Sequence, residues 1–255
     1  NFKTKTMKMS NIIILSLLSL GLVTSFSFIY SVKQEIQFVE YSEIKGSENL
    51  TSAILELGEF TSIHASDQIK VVLSQGPPSI EKSAEDNLLD FLHVENQDGK
   101  LVIYRKFEKN VNLQQNLPMI VKVSNISFEN IVARNQSEII VNGVLNQPEI
   151  NIELRDQGSV SGNFETSKLT LETSQQSNAT LQGSAKNLIL KLTDQSAIRA
   201  YGLNAEFAEI QLRNQAEAKI NVSTSVSGQV SGIATLGIKG DPENKVEKRE
   251  NARIF

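Results

Sequence analysis

The sequence predicts an all-β protein, a β-helix or closely related β-solenoid with about seven rungs of 18–21 residues. Three observations lead there. Gln recurs at Gln136, Gln157, Gln176, Gln195 and Gln215, at spacings of 21, 19, 19 and 20 residues. The position after each is small, at Ser137, Gly158, Ser177, Ser196 and Ala216, and two further steps of 18 reach Ile233 and Asn251, followed by Ala234 and Ala252. Alternate positions before the Gln are apolar in most copies, as in Ile152 and Leu154, or Leu190 and Leu192.

Period-2 alternation within a repeat near 19 residues describes short strands, whereas helical repeats need longer units and a 3.6-residue period. Stacked coils put equivalent residues in columns ~4.8 Å apart. The small column then marks a tight corner with an inward Cβ. A second column, Ile139, Val160, Ala179, Ile198, Ala218, Leu236 and Ile254, fills the interior. An antiparallel sandwich also has evenly spaced strands, but it gives no reason for an in-register small column.

The elements follow in order. Lys3, Lys5 and Lys8 precede the apolar run "NIIILSLLSLGLVTSFSFIY", so residues 1–30 are expected to be an N-terminal apolar helix, either a signal peptide or a membrane anchor. Residues 31–55 are polar and read as a spacer. Residues 56–255 read as one β-helical domain, with N-terminal strands and a hairpin over 56–124 and repeated coils over 125–255. In the first part, "FTSIHASDQIKVVLSQG" reads as a strand and turn, and "SAEDNLLDFL" as a short helix or helical turn capped near Ser83. Asp98-Gly99 suits a type I′ hairpin turn, and "LPMIVKVS", Leu117 to Ser124, is another strand.

Composition narrows function. The net charge is -4 and the pI about 5.4, which argues against nucleic acid as a partner, since phosphate binding needs a concentrated basic face. There is no Cys, so disulfides, thiolate metal sites and Cys nucleophiles are excluded. No cofactor or metal is expected, and contact with a membrane is expected only through the N-terminal segment.

The corner columns are the candidate sites. The residue before each Gln gives Asn135, Asp156, Gln175, Asp194 and Asn214; strict alternation turns this column inward, but a corner can break parity and leave it outside. Gln136, Gln157, Gln176, Gln195 and Gln215 have the opposite parity and face solvent, where stacked amides can form a ladder. That ladder is either a polar edge with no further role or a regular array for binding a glycan or an envelope protein. Arg134, Arg155 and Arg213 precede the corner in three coils and read as solvated partners of nearby acids. Catalysis is the alternative: Asp156 and Asp194 would lie two coils, ~10 Å, apart, just beyond the ~6.5–9.5 Å of an inverting carboxylate pair. His64 and His93, in strand-like stretches, read as ordinary strand residues.

The stretches "FTSIHASDQIKVVLSQG" and "EDNLLDFLHVENQDGKLVIYRK", followed by the repeats, together resemble the head-GIN-domain family of auto-transporter adhesins, exported proteins common in Bacteroidetes. The resemblance covers about Glu56 to Phe255. It implies a β-helical domain behind an export signal, at the periplasm, outer membrane or cell surface. It implies no catalytic residues. The family's corners often read Gly-Ser-Gly; here they carry Asn-Gln, Asp-Gln or Gln-Gln, so side chains occupy positions usually bare. The expectation is a non-enzymatic envelope protein that binds or scaffolds in the manner of an adhesin. A polysaccharide hydrolase or lyase using Asp156 and Asp194, and a purely structural envelope domain, are the alternatives. Oligomeric state is left open.

Overall fold

The computed structural model describes residues 42–107 and 111–255. The expected N-terminal apolar helix, read as a signal peptide or anchor over residues 1–30, lies outside the described residues. No helix among the described residues is long and apolar enough to cross a membrane. The larger compact unit runs over Glu43–Lys109 and Leu113–Phe255.

Among the described residues, seventeen strands join in one sheet that winds on itself as a β-solenoid. Each coil has a row of strand before its corner and a row after it. The row before is built from Ser62–Ala65, Asn130–Ala133 and Glu149–Leu154, then the second halves of Ser159–Thr173, Asn178–Leu192, Ala197–Leu212 and Glu217–Val230, all parallel. The row after is built from Lys70–Gln75, Glu138–Asn146 and the first halves of the same long strands, again parallel.

The register is that of the sequence repeat. Val160 pairs with Ala179, Ala179 with Ile198 and Ile198 with Ala218, all buried. On the row before the corner, Ile152, Leu171, Leu190 and Ile210 form an equivalent buried column. Burying each Leu or Ile contributes roughly 1.5–3 kcal/mol, so the alternation that defines the strands also holds the coils together.

The small column is buried throughout: Ser137, Ser177, Ser196, Ala216 and Ala234 are each 0% exposed. Gly158 shows why it must be small. A Cβ there would lie 2.1 Å from the carbonyl oxygen of Ala133 in the preceding coil.

The structure departs from the sequence reading in three places. A first coil already exists within "FTSIHASDQIKVVLSQG": Ser62–Ala65 and Lys70–Gln75 are separate strands joined by a corner at Asp67–Gln68, both with positive φ (66° and 62°). Ser79–Glu85, expected to start a helix near Ser83, is a strand antiparallel to both Leu50–Leu55 and Ile120–Asn125, and only Leu89–Phe91 forms a 3-10 turn. Burial of Ile80 and Ala84 in the sheet outweighs the weak helical preference of the segment. Finally, Ser42–Lys45 and Leu50–Leu55 are strands within the stretch expected as a spacer.

The hairpin is as expected. Leu92–Gln97 pairs antiparallel with Lys100–Arg105 around Asp98 and Gly99, whose φ values of 52° and 80° are those of a type I′ turn. Glu85, the last residue of Ser79–Glu85, is buried, at 0% exposure. Its carboxylate accepts from the Glu48 N–H at 2.9 Å and the Asn116 N–H at 3.1 Å. Burial pushes its pKa up, but these bonds, with those from the Leu117 N–H and the Asn116 amide, hold the carboxyl below its ordinary value.

Candidate binding edge at the glutamine corners

Each corner reverses the chain in two residues. Asn135–Gln136, Asp156–Gln157 and Gln175–Gln176 have positive φ at both positions, between 49° and 65°; Asp194 and Asn214 have it only at the first. Asn, Asp and Gln tolerate this left-handed region better than β-branched residues. The left-handed turn also breaks strand parity. Both corner positions therefore point outward, and the Asn/Asp column lies at the surface beside the exposed Gln column instead of inside.

The Gln side chains form the ladder the repeat suggested. Gln136 Nε2 donates to Gln157 Oε1 at 3.1 Å, Gln176 Nε2 to Gln195 Oε1 at 2.8 Å, and Gln195 Nε2 to Gln215 Oε1 at 3.2 Å. The first coil extends it, because Gln68 Nε2 donates to Gln136 Oε1 at 2.9 Å. Arg105 ends it by donating from Nη2 to Gln68 Oε1 at 3.1 Å. Beside the ladder, Asn135 Nδ2 donates to Asp67 Oδ1 at 3.1 Å and Asn214 Nδ2 to Asp194 Oδ1 at 2.9 Å.

Asp67, Gln68 and Arg105 went unassigned from the sequence. The signal was present as "SDQ", but Gln68 stands 68 residues before Gln136 and is followed by Ile69, not a small residue. Residues 76–128, with the hairpin and the antiparallel strands, are inserted between the first coil and the second.

Together these residues line an open trough of about 590 Å³ running along the corners from Arg105 to Gln195. Asp156 and Asp194 both face it, with Gln175 between them. Asp194 Oδ2 also accepts from the Thr193 hydroxyl at 3.3 Å, so its two oxygens have local partners. Arg134 Nη2 and Arg155 Nε share Glu153 Oε1 at 2.5 and 2.8 Å, as solvated ion pairs. Arg213 has no ion pair among the described residues.

The histidines lie elsewhere. His64 sits in Ser62–Ala65, where burial and then the charges of Lys100 and Arg134 push its pKa down. His93 stacks on Tyr104 with ring centroids 5.3 Å apart. Among the described residues no group of three or more His, Asp or Glu could hold a metal ion. A second hollow, about 680 Å³ and more apolar, opens beside Leu55, Phe60, Pro78 and Ile126. Ile126 (69% exposed) lies at its rim, and Ile54 (81% exposed) is next to Leu55 in the strand.

The architecture is thus a parallel β-solenoid with a polar amide edge along one corner. The chain belongs to the family described as "Putative auto-transporter adhesin, head GIN domain", which it matches over residues 59–242. It is similar in fold to a "putative adhesin" of Bacteroides fragilis, with a TM-score of 0.76 at 19% identity, over 83% of this chain and 98% of that one. It is similar to a "Putative lipid binding protein" of Parabacteroides distasonis, with a TM-score of 0.69 at 15% identity, over 84% and 100% of the two chains. A "putative adhesin" of Parabacteroides merdae gives a TM-score of 0.69 at 19% identity, over 84% and 99%. No curated protein matches the sequence.

Proposed function

We propose that this chain is an exported, non-catalytic binding protein of the cell envelope, adhesin-like in role, and that its glutamine edge is the contact surface. The observation that supports this reading is the outward Gln ladder. Packing requires the small column and the apolar columns, but it does not require Gln, in register, at the most exposed corner position. The edge presents donors and acceptors at the coil spacing along an open trough, which suits an extended, hydroxyl-rich ligand better than a small molecule needing enclosure. Membership of an adhesin-described family supports the coarse role and the envelope location.

The test is a glycan-binding and polysaccharide-turnover screen. Binding without turnover, lost on Gln→Ala substitution along the edge, supports the proposal. Turnover abolished by Asp194→Asn, with folding retained, replaces it with the hydrolase or lyase reading of Asp156 and Asp194. Neither binding nor turnover leaves a structural envelope domain.

A further inference from the structure

The corner peptides do not all point the same way. Gln68, Gln136 and Gln157 donate their backbone N–H forward, to the carbonyls of Asn135, Asp156 and Gln175 in the next coil, at 2.9–3.0 Å. Gln215, Ile233 and Asn251 donate backward, to the carbonyls of Asp194, Asn214 and Gly232, at 2.8–3.0 Å. The dihedral angles change at the same place: both corner residues have positive φ up to Gln175–Gln176, and only the first does at Asp194–Gln195 and Asn214–Gln215. These are type I′ and type II′ turns, which differ by a flip of the central peptide.

The flip leaves two donors facing each other. A trans peptide holds N–H and C=O antiparallel. The Gln175 carbonyl points back at Gln157, so the Gln176 N–H points forward; the Asp194 carbonyl points forward at Gln215, so the Gln195 N–H points back. They meet across one coil spacing of ~4.8 Å, and neither has an acceptor among the described residues. The corner peptides on either side align their positive ends on this gap, and their dipoles add.

The side chains break step beside it. No hydrogen bond joins Gln157 to Gln176, although the ladder is made on both sides. Among the described residues Gln157 Nε2 and Gln176 Oε1 have no partner. Two backbone donors, a side-chain donor and a side-chain acceptor therefore collect on three successive coils of the trough, Gln157 to Gln195.

We propose that the gap between Gln176 and Gln195 is a subsite for a neutral carbonyl oxygen, supplied by the acetamido group of an N-acetylated glycan. This rests on the glutamine edge being the binding surface. Two convergent N–H groups call for an acceptor. Asp194 borders the gap and Asp156 lies one coil before it in the same trough, and both oppose a carboxylate through like-charge repulsion. An acetamido group brings the carbonyl together with an N–H that Gln176 Oε1 can accept, while sugar hydroxyls can donate to the two aspartates. A peptide would want apolar sockets for its side chains, whereas the residues lining this trough are all Asp, Asn, Gln or Arg.

The test titrates the ¹⁵N-labelled exported protein with N-acetylchitotetraose and with cellotetraose, β-1,4-linked tetramers that differ in acetamido against hydroxyl. The N-acetylated sugar should bind about tenfold tighter, as one pair of well-placed hydrogen bonds allows. The backbone amide signals of Gln176 and Gln195 should move more than those of Gln157 and Gln215. Gln176→Ala, which keeps both N–H groups, should weaken N-acetylchitotetraose several-fold and leave cellotetraose less affected. Equal affinity for the two sugars, no binding of either, or tighter binding of tetragalacturonate overturns the acetamido subsite. If equal binding still moves the corner amides, the glutamine edge stands and only the subsite falls. Binding that moves no corner amide removes both.

Discussion

The amide of Gln68 donates to Gln136 Oε1 at 2.9 Å across 68 residues of sequence, joining the first coil to the second as if nothing lay between them. The inserted segment leaves the corner undisturbed, so the ladder runs unbroken from Arg105 through Gln68 and Gln136 to Gln157. Exposed amide pairs of this kind stabilise little, ~0.2–1 kcal/mol each. Gln136→Ala is therefore expected to lower thermal stability by no more than a few degrees, measured by circular dichroism, while weakening any ligand that follows the edge.

The unpartnered N–H groups have a signature in the protein alone. Gln176 and Gln195 should exchange their amide hydrogens much faster than Gln157 and Gln215, whose N–H groups are bonded to Gln175 and Asp194 at 3.0 and 2.9 Å. Hydrogen exchange read by NMR checks this. Equal protection at all four would mean that the corner peptides do not reverse.

Two members of the small column should respond in opposite ways to loss of the hydroxyl. Ser177 Oγ donates to the Ser174 carbonyl at 2.6 Å, whereas the buried Ser196 Oγ has no partner. Ser177→Ala should destabilise by about 1 kcal/mol, and Ser196→Ala should be neutral or stabilising. Urea denaturation of the two variants measures the contrast.

Acid should weaken the fold in two stages. His64 has its pKa pushed below 6.5 by burial and by Lys100 and Arg134, so the folded state binds this proton less readily than the unfolded chain. Its contribution is complete above 6.5 and is lost as pH falls toward the folded value. Glu85 is held below 4.5 by its hydrogen bonds, so its contribution is complete above 4.5 and is lost at lower pH. Denaturant midpoints followed with pH should fall in both windows. His64→Gln should flatten the upper window and Glu85→Gln the lower one.

What the sequence made legible was what repeats. The Gln spacing, the small column and the Ile139–Ile198 column translate directly into stacked coils, because each coil repeats the same packing problem. The first coil escaped because residues 76–128 interrupt the period and Ile69 replaces the small residue. Ser79–Glu85 escaped because its burial comes from antiparallel neighbours far away in sequence, Leu50–Leu55 and Ile120–Asn125. The peptide reversal could not be read locally at all. Asp156–Gln157 and Asp194–Gln195 are the same dipeptide, yet they adopt different turns. The turn type changes together with the direction of the hydrogen bond to the adjacent coil, which the dipeptide alone does not carry.

The glutamine edge is the proposed contact surface. Its most direct test compares the wild-type protein with a variant carrying Ala at Gln136, Gln157, Gln176 and Gln195, in equilibrium binding to the ligand found by the glycan screen. Matching circular dichroism spectra would establish that both are folded. The variant should lose affinity by at least about tenfold, ~1.4 kcal/mol, with its strand content unchanged. Equal affinity for a folded variant would contradict it and place the contact surface elsewhere on the solenoid.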